Sequence, residues 1–394
     1  MASPPQFKDE INPRRGHKGS DIIGPRNPNR EHQEPDLVSP PSIDAGKLAN
    51  MKWSFADSHM RLEEGGWARE TTVRELPTST ELAAVNMRLE EGVYRELHWQ
   101  TEAEWAYVLE GSCRITVLDT EGGCYIDDLQ KGNLWYFTTG FPHSIQGIGK
   151  EGTEFLLIFD DGNFSEDSTF LLTDWLAHSD KNVLAKNFNI PRGVFNNLSQ
   201  KEKYIFRGTI APPLDEDRKQ VNPSKHRFTH RMLEQEPIKF AGGEVRIADT
   251  KNFPTSQSVA AAHVLINPHG LRTMHWHPNA SEWSYFIRGK ARVTIFASNG
   301  TARTFNYQAG DIGIVPRNMA HFVENIGDEP VEMLEVFRAS TFQDFSLEQW
   351  LAQTPQTMVV EHLNLDGGNA KRFLDSLSKT KVPVKPGRRS SFSL

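Results

Sequence analysis

Short stretches in which hydrophobic and polar positions alternate run through most of the chain. Examples are residues 83–89, 105–119, 134–140 and 155–160. Clusters of glycine, aspartate and asparagine separate them, and these residue types favour tight turns. Short alternating runs with regular turns predict an antiparallel barrel or sandwich. Helical signals are few, and the clearest are two related stretches at residues 169–179 and 345–355.

An internal repeat determines the predicted architecture. Residues 95–122 align with residues 272–300, and residues 131–149 align with residues 309–327. The offset is 177 positions at the first histidine of the repeated motif and 178 from its glutamate onward, which one inserted residue explains. A repeat of this kind indicates one structural unit used twice. The sequence therefore predicts two tandem β domains that meet near residue 232.

The two ends of the chain differ from this repeating part. The N-terminal stretch is rich in proline, asparagine, arginine and glutamate and has no sustained apolar period, so we expect an extended arm. The last residues are basic and predict a disordered tail. The predicted divisions are an arm over 1–50, a first domain over 51–232, a second domain over 233–380 and the tail over 381–394.

Composition narrows the class of protein. With 37% hydrophobic and 24% charged residues, the 394-residue chain can bury sizeable cores. A net charge of -7 argues against nucleic acid as the main partner. No stretch approaches the roughly 18 apolar residues of a membrane helix, and the N-terminus lacks the apolar core of a signal peptide. We therefore expect no membrane partner and a cytoplasmic location. With only Cys113 and Cys124, a disulfide framework is not the organising feature.

The repeated motif carries histidine and glutamate at spacings that suit metal binding. His275 and His277 lie on one face of a strand, because strand side chains have a period of two. The candidate ligands are His275, His277, Glu282 and His321 in the second half, and His98, Glu104 and His143 in the first, with Gln100 at the place of His277. A lone histidine is more often a packing residue than a ligand, but this spacing appears twice. Three imidazoles and a carboxylate suit a divalent first-row metal with open coordination positions.

These motifs resemble the bicupin family. The resemblance rests on the repeated ligand motif, on the spacing of Gly310, Pro316 and His321, and on the two-barrel repeat. Four stretches resemble the oxalate decarboxylases more closely, namely residues 94–119, 159–179, 201–206 and 302–316. The resemblance implies an all-β-dominated fold of two tandem cupin domains, each an antiparallel barrel of the jelly-roll type, with a few short helices.

The resemblance also implies a reaction. The family converts oxalate to formate and carbon dioxide, and it requires manganese and dioxygen. We therefore expect up to two Mn²⁺ ions per chain, oxalate as the small-molecule substrate, dioxygen as co-catalyst and a homo-oligomer, a trimer or a hexamer. Besides the metal, such a reaction needs a cation that holds the substrate and an acid that moves a proton.

Family residues for these roles match positions of this chain. Arg95 and its counterpart Arg272 would hold the substrate. Glu166 lies in a lid stretch over residues 165–169 and would deliver the proton. Glu335 matches a second glutamate proposed as a proton donor in the family.

Each of these roles has a structural alternative. Arg95 would face the side opposite to His98 on a flat strand, so it needs a bulge or a strand end to point inward, and it could instead pair with a neighbouring glutamate. The polar cluster at residues 165–169 could serve as a helix N-cap. Glu335 could be a buried strand glutamate without a catalytic role. Asp167 departs from the family lid, which usually carries asparagine there, and adds a negative charge beside the proton donor.

Gln100 also departs from the family, which has histidine at this place. An amide oxygen is neutral, as imidazole is, but it is a weaker donor, so we expect the first site to bind Mn²⁺ less tightly. Three explanations remain open: a natural variant with retuned chemistry, a loss of first-site activity, or an engineered or miscopied residue.

Two other functions remain open from the sequence. An oxalate oxidase would use a similar site and produce carbon dioxide and hydrogen peroxide, and the presence of Glu166 favours decarboxylation over it. A non-catalytic metal-binding bicupin is the second alternative. The intact ligand set of the second half counts against it.

Overall fold

The computed structural model describes residues 11–387 and consists mainly of antiparallel strands. The prediction of an all-β-dominated chain with two tandem antiparallel barrels and a few short helices is confirmed. The first ten residues of the predicted arm and residues 388–394 of the predicted tail lie outside the described residues. Within residues 11–387, no helix combines the length and the apolar character needed to cross a membrane.

The N-terminal arm packs against the second barrel. Its elements are strands β1 (Arg14–Arg15) and β2 (Lys18–Gly19), helices α1 (Pro28–Gln33) and α2 (Pro35–Val38), and strand β3 (Lys52–Ser54). Both helices begin with proline, which is tolerated there because the first N–H groups of a helix have no intrahelical partner. Arg292 Nε donates to Asp36 Oδ2 at 2.7 Å, and Thr304 Oγ1 donates to Asp44 Oδ1 at 2.8 Å. These two contacts attach the arm to the second barrel.

The first barrel is one large, branched antiparallel sheet folded around an aromatic core. Its strands are β4 (Arg61–Glu63), β5 (Gly66–Thr71), β6 (Ala83–Leu89), β7 (Val93–Trp99), β8 (Glu104–Leu118), β9 (Cys124–Gln130), β10 (Asn133–Phe137), β11 (His143–Phe159), β12 (Phe170–Leu171), β13 (Ile205–Arg207) and β14 (Thr229–Arg231). Helices α3 (Leu172–Ala177), α4 (Lys181–Phe188) and α5 (Leu214–Arg218) lie between β12 and β14. The long strands β8 and β11 pair with each other, and β7 pairs with β11, β12 and β13. Trp135, Phe137 and Phe155 fill the interior.

The second barrel repeats this arrangement with two facing sheets. Its strands are β15 (Ile238–Phe240), β16 (Gly243–Ala248), β17 (Ala260–Ile266), β18 (Leu271–Trp276), β19 (Glu282–Arg288), β20 (Lys290–Ala297), β21 (Thr301–Gln308), β22 (Asp311–Val315), β23 (Ala320–Asn325), β24 (Val331–Phe337), β25 (Phe345–Ser346) and β26 (Val384–Lys385). Helices α6 (Leu347–Ala352), α7 (Gln356–His362) and α8 (Gly367–Ser376) lie between β25 and β26. One sheet has the order β15-β16-β17-β24-β19-β22-β3, and the other has the order β21-β20-β23-β18, with β25 and β26 beside β18.

The two predicted helical stretches both contain short helices, α3 and α6. Ser346 caps α6, since its Oγ accepts the N–H of Gln349 at 3.5 Å. The polar cluster at residues 165–169 does not cap α3. Ser165 Oγ accepts the N–H of Asp167 at 3.3 Å and so begins a separate 3₁₀ turn over Glu166–Ser168.

One strand from the start of the chain joins the second barrel. Strand β3 precedes the first barrel in sequence but pairs with β22 of the second, with Trp53 opposite Ile312. Strand β14 pairs with β10 of the first barrel, with His230 opposite Leu134, and the chain then enters the second barrel. The predicted first domain starts at residue 51, so its first strand belongs to the sheet of the second barrel.

The prediction of a disordered tail is wrong for residues 381–387. Strand β26 pairs with β18, with Val384 opposite Arg272, and the N–H of Thr273 donates to the Pro383 carbonyl at 2.8 Å. The Val384 side chain is fully buried. A basic composition suggested disorder, but the unpaired edge of β18 and one buried valine favour an ordered strand.

Candidate metal centres

The second barrel brings its four predicted ligands together. His275 lies near the end of β18 and His277 just beyond it, Glu282 begins β19, and His321 is the second residue of β23. All four are buried, and their ligand atoms lie within 4.8 Å of one another. His275 and His277 lie on one face of the chain. The short connection between β18 and β19 brings Glu282 back to the same point.

Backbone carbonyls fix the orientation of the imidazole rings in this cluster. Nδ1 lies 2.6 Å from the Thr273 carbonyl oxygen in His275, 2.8 Å from the Gln343 carbonyl in His277 and 3.1 Å from the Met319 carbonyl in His321. An N–H at Nδ1 that donates to a carbonyl directs the lone pair of Nε2 towards the centre. There the Nε2 atoms of His277 and His321 lie 2.9 and 3.0 Å from Glu282 Oε2. Each histidine is therefore set to act as a ligand through Nε2.

The first barrel forms the corresponding cluster with three of its predicted ligands. His98 near the end of β7, Glu104 at the start of β8 and His143 at the start of β11 are buried, and their ligand atoms lie within 4.8 Å of one another. Nδ1 of His98 lies 2.6 Å from the Glu96 carbonyl oxygen, and Nδ1 of His143 lies 2.8 Å from the Phe141 carbonyl. Their Nε2 atoms therefore also face the centre.

Gln100 lies beside this first cluster. Its Nε2 donates to Glu104 Oε2 at 3.3 Å, while Trp135 Nε1 donates to the other oxygen of that carboxylate at 2.8 Å. The Oε1 atom of Gln100 is buried and has no hydrogen-bond partner among the described residues. Gln100 is thus close enough to the cluster to contribute a ligand oxygen or a hydrogen bond.

Both clusters have the properties of a cation site. Within residues 11–387, the Nε2 atoms of His143 and His275 and the Oε1 atom of Gln100 are buried and have no hydrogen-bond partner, although His143 Nε2 lies 3.3 Å from Glu104 Oε2. Burial lowers the pKa of His98 and His275 well below the usual value, and the nearby arginines lower it further. Both rings are therefore neutral at physiological pH, which is the state that binds metal. The unsatisfied lone pairs and the acidic carboxylates fit a divalent cation.

The predicted arginine of the first half faces the cluster. The pairing of β7 with β11 shifts its register between His98 and Arg95, so a bulge turns Arg95 inward. The guanidinium is 1% exposed, and its Nη2 lies 3.0 Å from Glu166 Oε2. The Tyr204 ring packs 4.1 Å from the guanidinium carbon. The Nε atom of Arg95 has no hydrogen-bond partner among the described residues.

The equivalent arginine of the second half pairs with two carboxylates through Nε and Nη2. Arg272 Nε lies 2.9 Å from Glu335 Oε1, and its Nη2 lies 3.1 Å from Asp344 Oδ2. Lys381, from the ordered part of the C-terminal segment, contacts the same Asp344 carboxylate. Neither Asp344 nor Lys381 was among the candidate residues that the sequence indicated. The only available signal was that Asp344 directly precedes the Phe-Ser pair of β25.

The carboxylate that contacts the arginine lies on a different element in each half. Phe159 and Phe337 occupy equivalent places, since each pairs with the ligand glutamate of its own barrel. Two residues earlier, the second barrel has Glu335 and the first has Leu157. In the first barrel the carboxylate that reaches the arginine is instead Glu166, which lies after the strand.

Glu166 forms part of the wall of a cavity that opens to the surface. The cavity measures about 180 Å³, and the side chains of Arg61, Glu70, Glu166, Asp167 and Tyr204 line it together with His59. Asp167 is exposed, whereas the Glu166 side chain is only 10% exposed. The Glu166 carboxylate therefore lies between this open cavity and buried Arg95.

Comparison with protein families shows two copies of one domain. The family model described as cupin matches residues 55–192 and again residues 230–371. These two matches correspond to the two barrels.

Individual proteins are similar over nearly the whole chain. Oxalate decarboxylase OxdC of Bacillus subtilis (strain 168) is 54% identical over 374 residues, which cover 94% of this chain and 96% of that protein. A probable oxalate decarboxylase of Arthroderma benhamiae is 38% identical and covers 88% of this chain and 87% of its own length. A solved structure from work on the Mn(II) centres of Bacillus subtilis oxalate decarboxylase matches with a TM-score of 0.93 at 53% identity, covering 96% of this chain and 100% of that one.

Proposed function

The chain belongs to the bicupin oxalate decarboxylases, and on this basis we propose that it converts oxalate to formate and carbon dioxide with manganese. In this reaction one oxalate dianion and one proton yield one formate and one carbon dioxide. The observation that carries the proposal is the buried Arg95 guanidinium, which contacts Glu166 and keeps one unpaired donor next to the first ligand cluster. The solved relative with Mn(II) centres supports manganese as the metal.

Two groups of residues would hold the metal. In the second barrel these are His275, His277, Glu282 and His321, and in the first they are His98, Glu104 and His143 with Gln100 beside them. Bound manganese would supply a Lewis acid and a one-electron redox partner for oxalate. The contacts of the Nδ1 atoms with backbone carbonyls keep this donor set in place.

Arg95 would bind the substrate. A guanidinium stays charged at every physiological pH and can hold a carboxylate through two parallel hydrogen bonds. A buried donor without a partner costs about 1–3 kcal/mol, so a carboxylate of oxalate would stabilise the site by satisfying the free Nε atom. The Tyr204 ring against the guanidinium limits its movement.

Glu166 would move the proton. Once carbon dioxide has left, the remaining one-carbon fragment needs a proton on carbon to become formate. The carboxyl group of Glu166 can take up a proton from the open cavity and carry it past Arg95, because it contacts both. A positioned acid of this kind typically accelerates a reaction by about 100-fold or more.

We propose that this reaction takes place in the first barrel. The carboxylates of Glu335 and Asp344 already pair with Arg272, so oxalate would have to displace a buried ion pair there. Displacement of a buried charge from its partner is costly. Arg272 and Glu335 retain the chemistry that the family resemblance implies, but their pairing supports a main role for the second barrel in holding metal.

The experiment that tests the proposed function measures three products from oxalate. The purified protein is incubated with oxalate and Mn²⁺, with and without dioxygen, and formate, carbon dioxide and hydrogen peroxide are quantified together with bound metal per chain. Equal amounts of formate and carbon dioxide that require dioxygen would support decarboxylation. Peroxide without formate would identify an oxalate oxidase, and no product with bound metal would identify a non-catalytic bicupin. The mass of the protein in solution would test the proposed trimer or hexamer.

A further inference from the structure

An ion pair outside the ligand clusters contacts the lid stretch of residues 165–169. Arg74 Nη2 lies 2.5 Å from Glu70 Oε1. The other oxygen of the Glu70 carboxylate accepts the backbone N–H of Glu166 at 3.3 Å. Arg74 Nη1 donates to Ser165 Oγ at 3.4 Å. The pair therefore binds two successive residues of the lid.

The segment that carries this pair is itself fixed to the barrel. Glu70 lies in β5, opposite Val85 of β6. Beyond the strand, the N–H of Thr72 donates to Glu75 Oε2 at 2.8 Å. The N–H of Val73 donates to the carbonyl of Gly162 at 3.0 Å, just before the lid. The Glu70–Arg74 pair thus joins the lid stretch to a supported strand end.

We propose that Glu70 and Arg74 are positioning residues that hold the lid where the Glu166 side chain reaches Arg95. This proposal rests on the proposed function, in which Glu166 delivers the proton. Glu166 is held at two points, its backbone N–H by Glu70 and its carboxylate by Arg95. Glu70 and Arg74 contact no metal ligand and act only through the lid.

The second half has no equivalent of this pair. The place of Glu70 is taken by Ile247 of β16, which lies opposite Ala262 of β17. The chain between Phe337 and Phe345 is also three residues shorter than the equivalent connection in the first half. The pair occurs only in the half that carries the lid glutamate, as expected for a device that serves the lid and not the barrel.

Loss of the pair should change which products form. When Glu166 is in place, the one-carbon fragment gains a proton and leaves as formate. When the lid is open, the fragment can instead lose two electrons to dioxygen and leave as a second carbon dioxide. The overall reaction is then one oxalate dianion, one dioxygen and two protons giving two carbon dioxide and one hydrogen peroxide. The ratio of peroxide to formate therefore reports how often the lid is closed when the one-carbon fragment reacts.

The experiment compares Glu70→Ala and Arg74→Met with a matched control, Glu90→Ala. Glu90 pairs with Arg207 at 2.5 Å on the exposed surface of the same barrel and does not contact the lid. Glu70→Gln serves as the conservative variant, because its amide oxygen can still accept the N–H of Glu166. For each protein we would measure the peroxide-to-formate ratio and the rate of deuterium uptake at residues 162–169.

In Glu70→Ala and Arg74→Met we expect the peroxide-to-formate ratio and the deuterium uptake of the lid to rise, by up to roughly 10-fold, the size of one lost charge-assisted hydrogen bond. Glu90→Ala should match the unmodified protein, and Glu70→Gln should fall between. An unchanged ratio in both variants would overturn the proposal, even if their thermal stability falls. If the unmodified protein forms no formate, the proposed function fails, and the deuterium uptake alone then decides whether the pair holds the lid.

Discussion

Gln100 and His277 occupy matching places in the two halves, and the exchange replaces an imidazole by an amide. The amide keeps the site neutral and keeps a buried acceptor, Oε1, without a partner. Its Nε2 also donates to the ligand carboxylate of Glu104. The consequence of the glutamine is therefore expected in the strength of metal binding and not in the fold.

The Gln100→His substitution should strengthen the first metal site. Imidazole is a better donor than an amide oxygen, and loss of one metal ligand is expected to cost about 10-fold or more in affinity, judging from 10–100-fold effects of outer contacts. Metal content should rise towards two per chain, and formate turnover should rise with it. The check is metal analysis and assay of both proteins at limiting Mn²⁺.

His277→Gln is the matched control for this prediction, because it introduces the same change at the equivalent place of the second barrel. It should lower metal content without improving the first site. If the unmodified protein already binds two metals and turns over as fast as Gln100→His, Gln100 is a working ligand or a bystander.

Glu166→Gln should suppress formate by about 100-fold, the usual contribution of a positioned acid, and should raise the share of peroxide. Glu335→Gln is the comparison, since Glu335 pairs with Arg272 and is not needed for the proposed proton transfer. It should change the product ratio far less. Assays of formate and peroxide for both variants decide the matter, and full formate yield from Glu166→Gln would remove this residue from the mechanism.

At the scale of elements, the repeated motif was sufficient to predict the barrels and the grouping of the ligands. Period-two alternation places His275 and His277 on one face, and the equal spacing to His321 carries this ligand to the same cluster. Ion-pair partners that meet only in the folded chain could not be predicted from the sequence. Asp344 reaches Arg272 only because β25 lies beside β18, and no local pattern encodes that pairing.

The C-terminal strand β26 is the clearest case in which composition led to a wrong prediction. Its sequence is basic and rich in lysine, whereas its stability comes from the buried Val384 and from the edge of β18. The register of an isolated two-residue strand is set by its partner and not by its own pattern.

Ending the chain after Thr380 should destabilise the second barrel. The change exposes the edge of β18 and removes the buried Val384 side chain, whose burial contributes about 1.5–3 kcal/mol. It also removes the Pro383 carbonyl that accepts the N–H of Thr273. Thermal unfolding is the measurement, and a chain that ends after Gly387 is the control. Equal unfolding temperatures for the two chains would show that β26 contributes nothing.

At the scale of the whole molecule, the buried histidines couple stability to pH. Burial, followed by the charges of nearby Arg95 and Arg272, lowers the pKa of His98 and His275 below the value of 6.5 that they have when exposed. As the pH falls below 6.5, the unfolded chain therefore takes up protons that the folded chain does not. The stability of the metal-free protein is full above pH 6.5 and is lost progressively below it.

This loss should amount to about 1.4 kcal/mol per pH unit for each of the two histidines. Denaturant unfolding of the metal-free protein at pH 7.5 and pH 5.5 measures it. The His98→Gln variant removes one titrating ring and should show a shallower dependence. A midpoint that is the same at both pH values would contradict the prediction, as would a variant with an unchanged slope.

The pairing of β3 with the second barrel also affects folding during synthesis. Strand β3 leaves the ribosome early, but its partner β22 is synthesised only after the whole first barrel and much of the second. During that interval Trp53 and its neighbours have no sheet to join, and unpaired strands are prone to join the wrong neighbour. Strand β14, by contrast, finds β10 already made. The first barrel can therefore form while translation continues, whereas β3, synthesised at the start, must wait until β22 of the second barrel has been made.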